Sequence, residues 1–131
     1  MSYHLHTDPA LFQIEFHGTL TANDLSELAV ELESMEAACE IVPDRIISLE
    51  GVTEVSLRGD DVRDIASRRK SRRFPNRFRS AIVASRAASV GYARMFTALN
   101  DHPQIKVAVF PFADEAYEWL QSPRGLARSS T

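Results

Sequence analysis

The densest charge in the sequence is a run of five basic residues in six positions, Arg68, Arg69, Lys70, Arg72 and Arg73. Guanidinium and ammonium groups packed this closely suit a phosphate, a carboxylate, an anionic lipid headgroup or an acidic protein surface. Phe74 and Phe78 follow the run and offer stacking or insertion beside it. The plainer reading is a solvated helix face whose charge offsets acids elsewhere, either within the chain or across a homodimer. Arginine stems also cover apolar surface. Nucleic acid is not an expected partner, because the net charge is −3 and no nucleic-acid-binding motif stands out.

Two smaller groups lie where a strand is expected to give way to a helix. One is Ser56, Arg58 and Gly59; the other is Ser85, Arg86, Ser89 and Gly91. Free N–H groups at a helix N-terminus attract anions, so these loops form a candidate anion-binding rim for a phosphate or carboxylate. Read plainly, Asp60 and Ser89 are ordinary caps. His4, His6 and His17 share a face with Glu15 and have the donor chemistry for zinc or nickel. Outward residues of a hairpin are ordinarily just solvated, so neither a metal site nor a cofactor is expected. His102, beside a helix end, reads as a dipole partner or a surface residue.

Catalysis is not expected. The sequence has no Gly-x-Ser-x-Gly elbow, no His-Glu-x-x-His pair and no phosphate-binding glycine loop. Cys39 is the single cysteine, which excludes an internal disulfide and a cysteine-based zinc site. An acidic neighbourhood disfavours its thiolate.

These residues need elements to position them. The chain has 131 residues, 44% hydrophobic and 25% charged, which suits one domain with one core. No apolar run approaches the roughly 20 residues of a membrane-spanning helix. The opening residues lack a basic-then-apolar leader, so a cytoplasmic protein is expected, with membrane contact limited to its periphery. Charge is unevenly spread. Residues 1–57 carry eleven acids and a single base, Arg45, whereas residues 58–86 carry ten bases and three acids.

Tyr3 and Leu5, then Phe12, Ile14 and Phe16, alternate with polar residues, the mark of half-buried strands. Asp8-Pro9 between them is turn chemistry, and pairing Leu5 with Phe12 puts all five apolar side chains on one face of a hairpin. Leu25, Leu28, Ala29, Leu32 and Met35 recur at helical spacing from about Ala22 to Cys39. Thr21 and Asp24 form a capping box, with Leu20 and Leu25 as a hydrophobic staple. Arg45–Leu49 reads as a buried strand, and Gly51 and Gly59 bracket a loop. A second helix opens at Asp60 and ends in the arginines, which suit its negative C-terminal end. Ala81–Ala84 and Ile105–Phe110 are further strands, and Val90–Leu99 and Ala116–Leu120 mark two more helices. The order is ββαβαβαβα: an α/β fold with a mixed five-stranded sheet, an N-terminal hairpin and right-handed crossovers. Residues 1–121 form one domain and 122–131 a polar, basic tail.

Three stretches resemble the SpoIIAA-like, STAS-related group of domains. They are GYARMFTALN (91–100), IKVAVFPFADEAYEWL (105–120) and ISLEGVTEVSLRGDDV (47–62), the last resembling the segment that carries the phosphorylation site of STAS domains. The resemblance implies a regulatory or protein-interaction module. It also implies an alternative: a carrier with an apolar pocket between sheet and helices, as in the related CRAL-TRIO lipid carriers. Such a pocket is expected near Phe74, Phe78 and Met95. Where antagonists of anti-sigma factors carry an acceptor serine, this chain has Leu57 or Arg58, with Ser56 the nearby hydroxyl. The standard phospho-serine switch is therefore not expected. Phe112 stands at the expected N-cap of the last helix, leaving Asp114 to cap it.

Overall fold

The computed structural model describes residues 3–123. The elements are β1 (Tyr3–Asp8), β2 (Leu11–Thr21), α1 (Ala22–Ala37), β3 (Asp44–Ser56), α2 (Gly59–Lys70), β4 (Phe78–Val83), α3 (Ala87–Leu99), β5 (Ile105–Phe110) and α4 (Ala113–Gln121). Strand order in the single sheet is β1-β2-β3-β4-β5. β1 runs antiparallel to β2, and every later pairing is parallel. This is the ββαβαβαβα order and the mixed α/β sheet expected from the sequence.

Each strand is added beside the one before it, so crossovers of one hand deliver their helices to one face. Leu28 and Leu32 of α1 and Ala93 of α3 join Phe12, Ile14, Leu49 and Ile82 in the main core. α4 takes the opposite face, where Ala116 packs with Ile46, Ala81 and Val83. β4 is covered on both faces, by the α1–α3 layer on one and by α4 on the other. Phe78, Ser80 and Ile82 point one way, Arg79, Ala81 and Val83 the other, and all six are buried.

The hairpin keeps the expected face but slides by two residues: Leu5 pairs with Ile14, and Tyr3 with Phe16. A two-residue shift preserves side-chain parity. It also leaves a tight turn in which the Asp8 carboxylate accepts from the backbone N–H groups of Ala10 and Leu11, at 2.7 and 3.1 Å. The capping box forms as read. Asp24 N–H donates to Thr21 Oγ1 at 3.2 Å, and Thr21 N–H donates to the Asp24 carboxylate at 3.1 Å.

Four boundaries differ from the sequence reading. β3 runs through Gly51 to Ser56, because β2 is long enough to pair with it to the end. A Cβ at Gly51 would lie 2.9 Å from the Phe16 carbonyl oxygen, so the closeness of β2 selects glycine there. α1 stops at Ala37, short of Cys39. α2 stops at Lys70, which places Arg72 and Arg73 beyond the helix. α3 starts at Ala87, so Ser89 lies inside its first turn, buried, and does not cap it. Residues 124–131 of the expected tail lie outside the described residues. Ser122, its first residue, accepts from the buried Arg79 guanidinium at 2.9 Å, and Arg79 also donates to the Trp119 carbonyl at the negative end of α4.

Candidate functional site

Between the sheet and α1–α3 lies a cavity of about 140 Å3. Its wall is apolar, formed by Phe16, Ile47, Ile82 and Val107 from the sheet and Leu28 and Phe96 from the helices. Ile47 of the interior strand β3 and Val107 of the edge strand β5 face the helix layer, yet both are only half-buried. The helices therefore leave part of the sheet uncovered.

Polar side chains interrupt the wall at Arg45, Arg69, Ser80, Tyr92 and Asn100. Arg45 shares strand parity with Ile47 and Leu49, so its register in β3 sends it inward. It is 3% exposed. Ser80 is its direct partner across the β3–β4 ladder and is also buried. The Arg45 guanidinium lies 4.3 Å from the Phe78 ring centre and 5.6 Å from that of Phe12. One of its nitrogens meets the Glu36 carboxylate at 2.7 Å. Its Nε and its other terminal nitrogen are buried without a hydrogen-bond partner. A buried unsatisfied polar group costs about 1–3 kcal/mol, so two on one side chain need an explanation.

Glu36 and Arg69 complete the cluster. Glu36 continues the Leu28–Leu32 stripe of α1, and Arg69 continues the Val62–Ala66 stripe of α2. The two side chains form a bidentate pair at 3.0 and 2.6 Å. Both residues are buried. Arg72, about a third exposed, stands 3.8 Å from the same carboxylate. Two buried guanidiniums thus face one buried carboxylate. Burial pulls Arg45 down to about 10, against the raising effect of Glu36. Burial also pushes the Glu36 carboxyl up, but the Arg69 hydrogen bond and the charges of Arg45 and Arg69 outweigh it and hold Glu36 below the usual carboxylate range.

The basic run is divided among different tasks. Arg68 makes a two-point bond to Glu33 of α1 at 2.6 and 2.8 Å, which lowers Glu33. Arg69 is the buried partner of Glu36. Lys70 lies 3.6 Å from Asp101. Arg72 donates to the Glu33 carbonyl and Arg73 to the carbonyls of Lys70 and Arg72. Part of the charge contrast between the two segments is thus internal pairing of Glu33 and Glu36 of α1 with Arg68, Arg69 and Arg72.

The two rim loops are linked through α3. Tyr92 O–H donates to the Leu57 carbonyl at 2.7 Å, and Gly59 lies against Met95. Ser56, Arg58, Ser85 and Arg86 are exposed. At the start of α2 the chain's own carboxylate occupies the cap: Asp61 accepts from the Arg58 N–H at 2.8 Å. Ser85 donates to Glu50 at 2.8 Å. Gly91 is exposed within α3.

His4 and His17 stack at 5.0 Å on the outer face of the hairpin. Among the described residues no three His, Cys, Asp or Glu side chains are grouped to hold a metal ion. His102 departs from its expected surface role. It is buried, and its Nδ1 accepts from the Gln104 N–H, so Nε2 carries the proton donated to the Arg72 carbonyl at 2.6 Å. Phe78 borders the cavity as expected. Phe74 packs instead with Val42 and Ile105, and Met95 is not among the lining residues. Phe112 caps nothing with its side chain and is 59% exposed, while the Asp114 carboxylate accepts from the Glu115 N–H.

No helix among the described residues is long and apolar enough to cross a membrane. No protein-family profile matches the chain, and no curated protein does. Among solved structures it is similar to an uncharacterised DUF3478-family protein from Shewanella loihica PV-4, described as having a SpoIIAA-like fold. The two share 17% sequence identity, with a TM-score of 0.58 over 90% of this chain and 91% of the other. Identity that low carries architecture alone, and it agrees with the strand order and helix layering described above: the chain has a SpoIIAA-like fold.

Proposed function

We propose that the protein is a non-catalytic binding module that takes a small, largely apolar ligand between its sheet and its three-helix layer. The observation that carries this reading is the apolar cavity, bordered by sheet residues that a close-packed core would cover. A cavity of similar size in another protein core, about 150 Å3, holds benzene, so an apolar body of about six to eight heavy atoms fits. Native mass spectrometry of the gently purified protein tests this, together with displacement of an environment-sensitive dye. Filling the cavity with Ala93→Leu should abolish dye binding while leaving the melting temperature unchanged or raised. Equal dye binding by wild type and Ala93→Leu would remove the cavity from consideration.

A second reading is a regulatory protein-interaction surface at the Ser56–Gly59 rim and the outer side of α2. Its support is the exposure of Arg58, Arg68, Lys70 and Arg73 together with a SpoIIAA-like fold. Reversing Arg58, Lys70 and Arg73 to glutamate spares the internal Arg69 and Arg72. Loss of a partner in a pull-down with that variant would favour this reading, and unchanged capture would exclude these side chains.

A further inference from the structure

We infer that the ligand of this cavity is an amphipathic anion, a short monocarboxylate whose charged head lies on Arg45 and Ser80 and whose apolar body lies against Ile47, Ile82 and Val107. The inference rests on the cavity-binding reading above and adds the chemistry of the head.

Three observations converge on it. First, Arg45 is 3% exposed, borders the cavity, and keeps two nitrogens without a partner. A guanidinium presents its donors as a planar fork that matches the two oxygens of a carboxylate. Second, the fork has only one side occupied: Glu36 takes one terminal nitrogen at 2.7 Å and is itself held by Arg69 at two points. The buried Glu36 carboxylate is thus shared between two buried guanidiniums, so a second anion brings the cluster to balance. Third, Ser80 stands directly across the ladder from Arg45 and borders the same cavity, adding a hydroxyl donor to the same part of the wall. Apart from Arg69, which Glu36 already holds at two points, and the polar tips of Asn100 and Tyr92, the rest of the wall is apolar. A large polar anion is therefore disfavoured, whereas a small one with an apolar body satisfies both regions.

The probes are hexanoate, octanoate and benzoate, each paired with its neutral alcohol, plus acetate and inorganic phosphate at matched ionic strength. Binding is read by calorimetry on wild type and Arg45→Met. The Arg45 Nε–H resonance, assigned by its loss in that variant, gives a second readout. At least one carboxylate should bind about tenfold or more tighter than its alcohol to wild type, and should shift the Arg45 Nε–H signal. In folded Arg45→Met the two should fall within about threefold of each other. Equal binding of carboxylate and alcohol to wild type would overturn the carboxylate head and leave the apolar cavity reading intact. Binding of acetate or phosphate as tightly as octanoate would make Arg45 a site for small anions without an apolar body and overturn the amphipathic ligand. Failure of every carboxylate and every alcohol to bind would overturn both readings.

Discussion

Glu36 and Arg69 meet out of water in a two-point pair at 3.0 and 2.6 Å, and Arg45 reaches the same carboxylate at 2.7 Å. The three residues are not equivalent. Removing Glu36 strands two buried guanidiniums, whereas removing Arg45 leaves Glu36 satisfied by Arg69. Glu36→Ala should therefore lose about 3–5 kcal/mol. Arg45→Met should stay within about 1 kcal/mol of wild type or gain stability, since it also removes the two orphaned nitrogens. Urea unfolding of both variants measures the contrast, and a larger loss in Arg45→Met than in Glu36→Ala would refute it.

The same cluster sets an acid limit. Glu36 is held below its ordinary value of 4.5 in the folded state by Arg69 and Arg45 acting against burial. The unfolded chain thus binds a proton first as pH falls. The stability contributed by Glu36 is complete above about pH 4.5 and is lost as pH drops through its lower folded value. Glu33, lowered by Arg68, adds a weaker contribution of the same sign. Unfolding free energy measured from pH 7 to pH 3 should fall at the acid end, and Glu36→Gln should flatten most of that slope.

Gly18 tests the curvature of β2. Its φ is +70°, and register shifts against β3 flank it, between Glu15 and His17 and between Gly18 and Thr19. A Cβ there meets nothing within 4 Å, so any cost of Gly18→Ala comes from backbone conformation alone. The expected loss is about 1–2 kcal/mol, with Gly18→Asn losing less because asparagine tolerates positive φ. Thermal unfolding of the two variants decides it, and an alanine variant as stable as wild type would rule out strain at this position.

Thr21 closes β2 and caps α1, whose Leu28 and Leu32 form part of the helix layer over the sheet. Thr21→Ala removes the side-chain half of the box and should cost about 1 kcal/mol. Thr21→Ser should restore most of it. Amide exchange at Asn23 and Asp24 should quicken in the alanine variant, and no change there would show that the cap does not hold the first turn.

The element order was legible because alternation and helical spacing are local. Thr21–Asp24 and the parity of Tyr3, Leu5, Phe12, Ile14 and Phe16 needed no tertiary information. The charged cluster was present in the pattern but was read as composition. Arg45 is the lone base of the acidic half and shares parity with Ile47 and Leu49. Glu36 follows Leu28 and Leu32 at intervals of four. Arg69 follows Val62 and Ala66. Each is a charged residue at a core position, and together they are the signal that finds the site. That the three meet depends on how α1 and α2 lie over β3, which no local rule fixes. The arginine run looks like one block in composition, yet helical periodicity sends Arg69 inward and its neighbours Arg68 and Lys70 outward. The extension of β3 past Gly51 depended on the length of its partner strand, again a non-local fact.

Because each strand pairs with the one that precedes it in sequence, a chain emerging from the ribosome can build its sheet in the order of synthesis, with no gap held open for a later strand. The cavity side is complete once β5 has joined. α4 comes last and shields Ile46, Ala81 and Val83 on the reverse side. A chain cut short before Ala113 would therefore keep the cavity walls while baring an apolar back surface prone to aggregation, since no residue of the final helix lines the cavity.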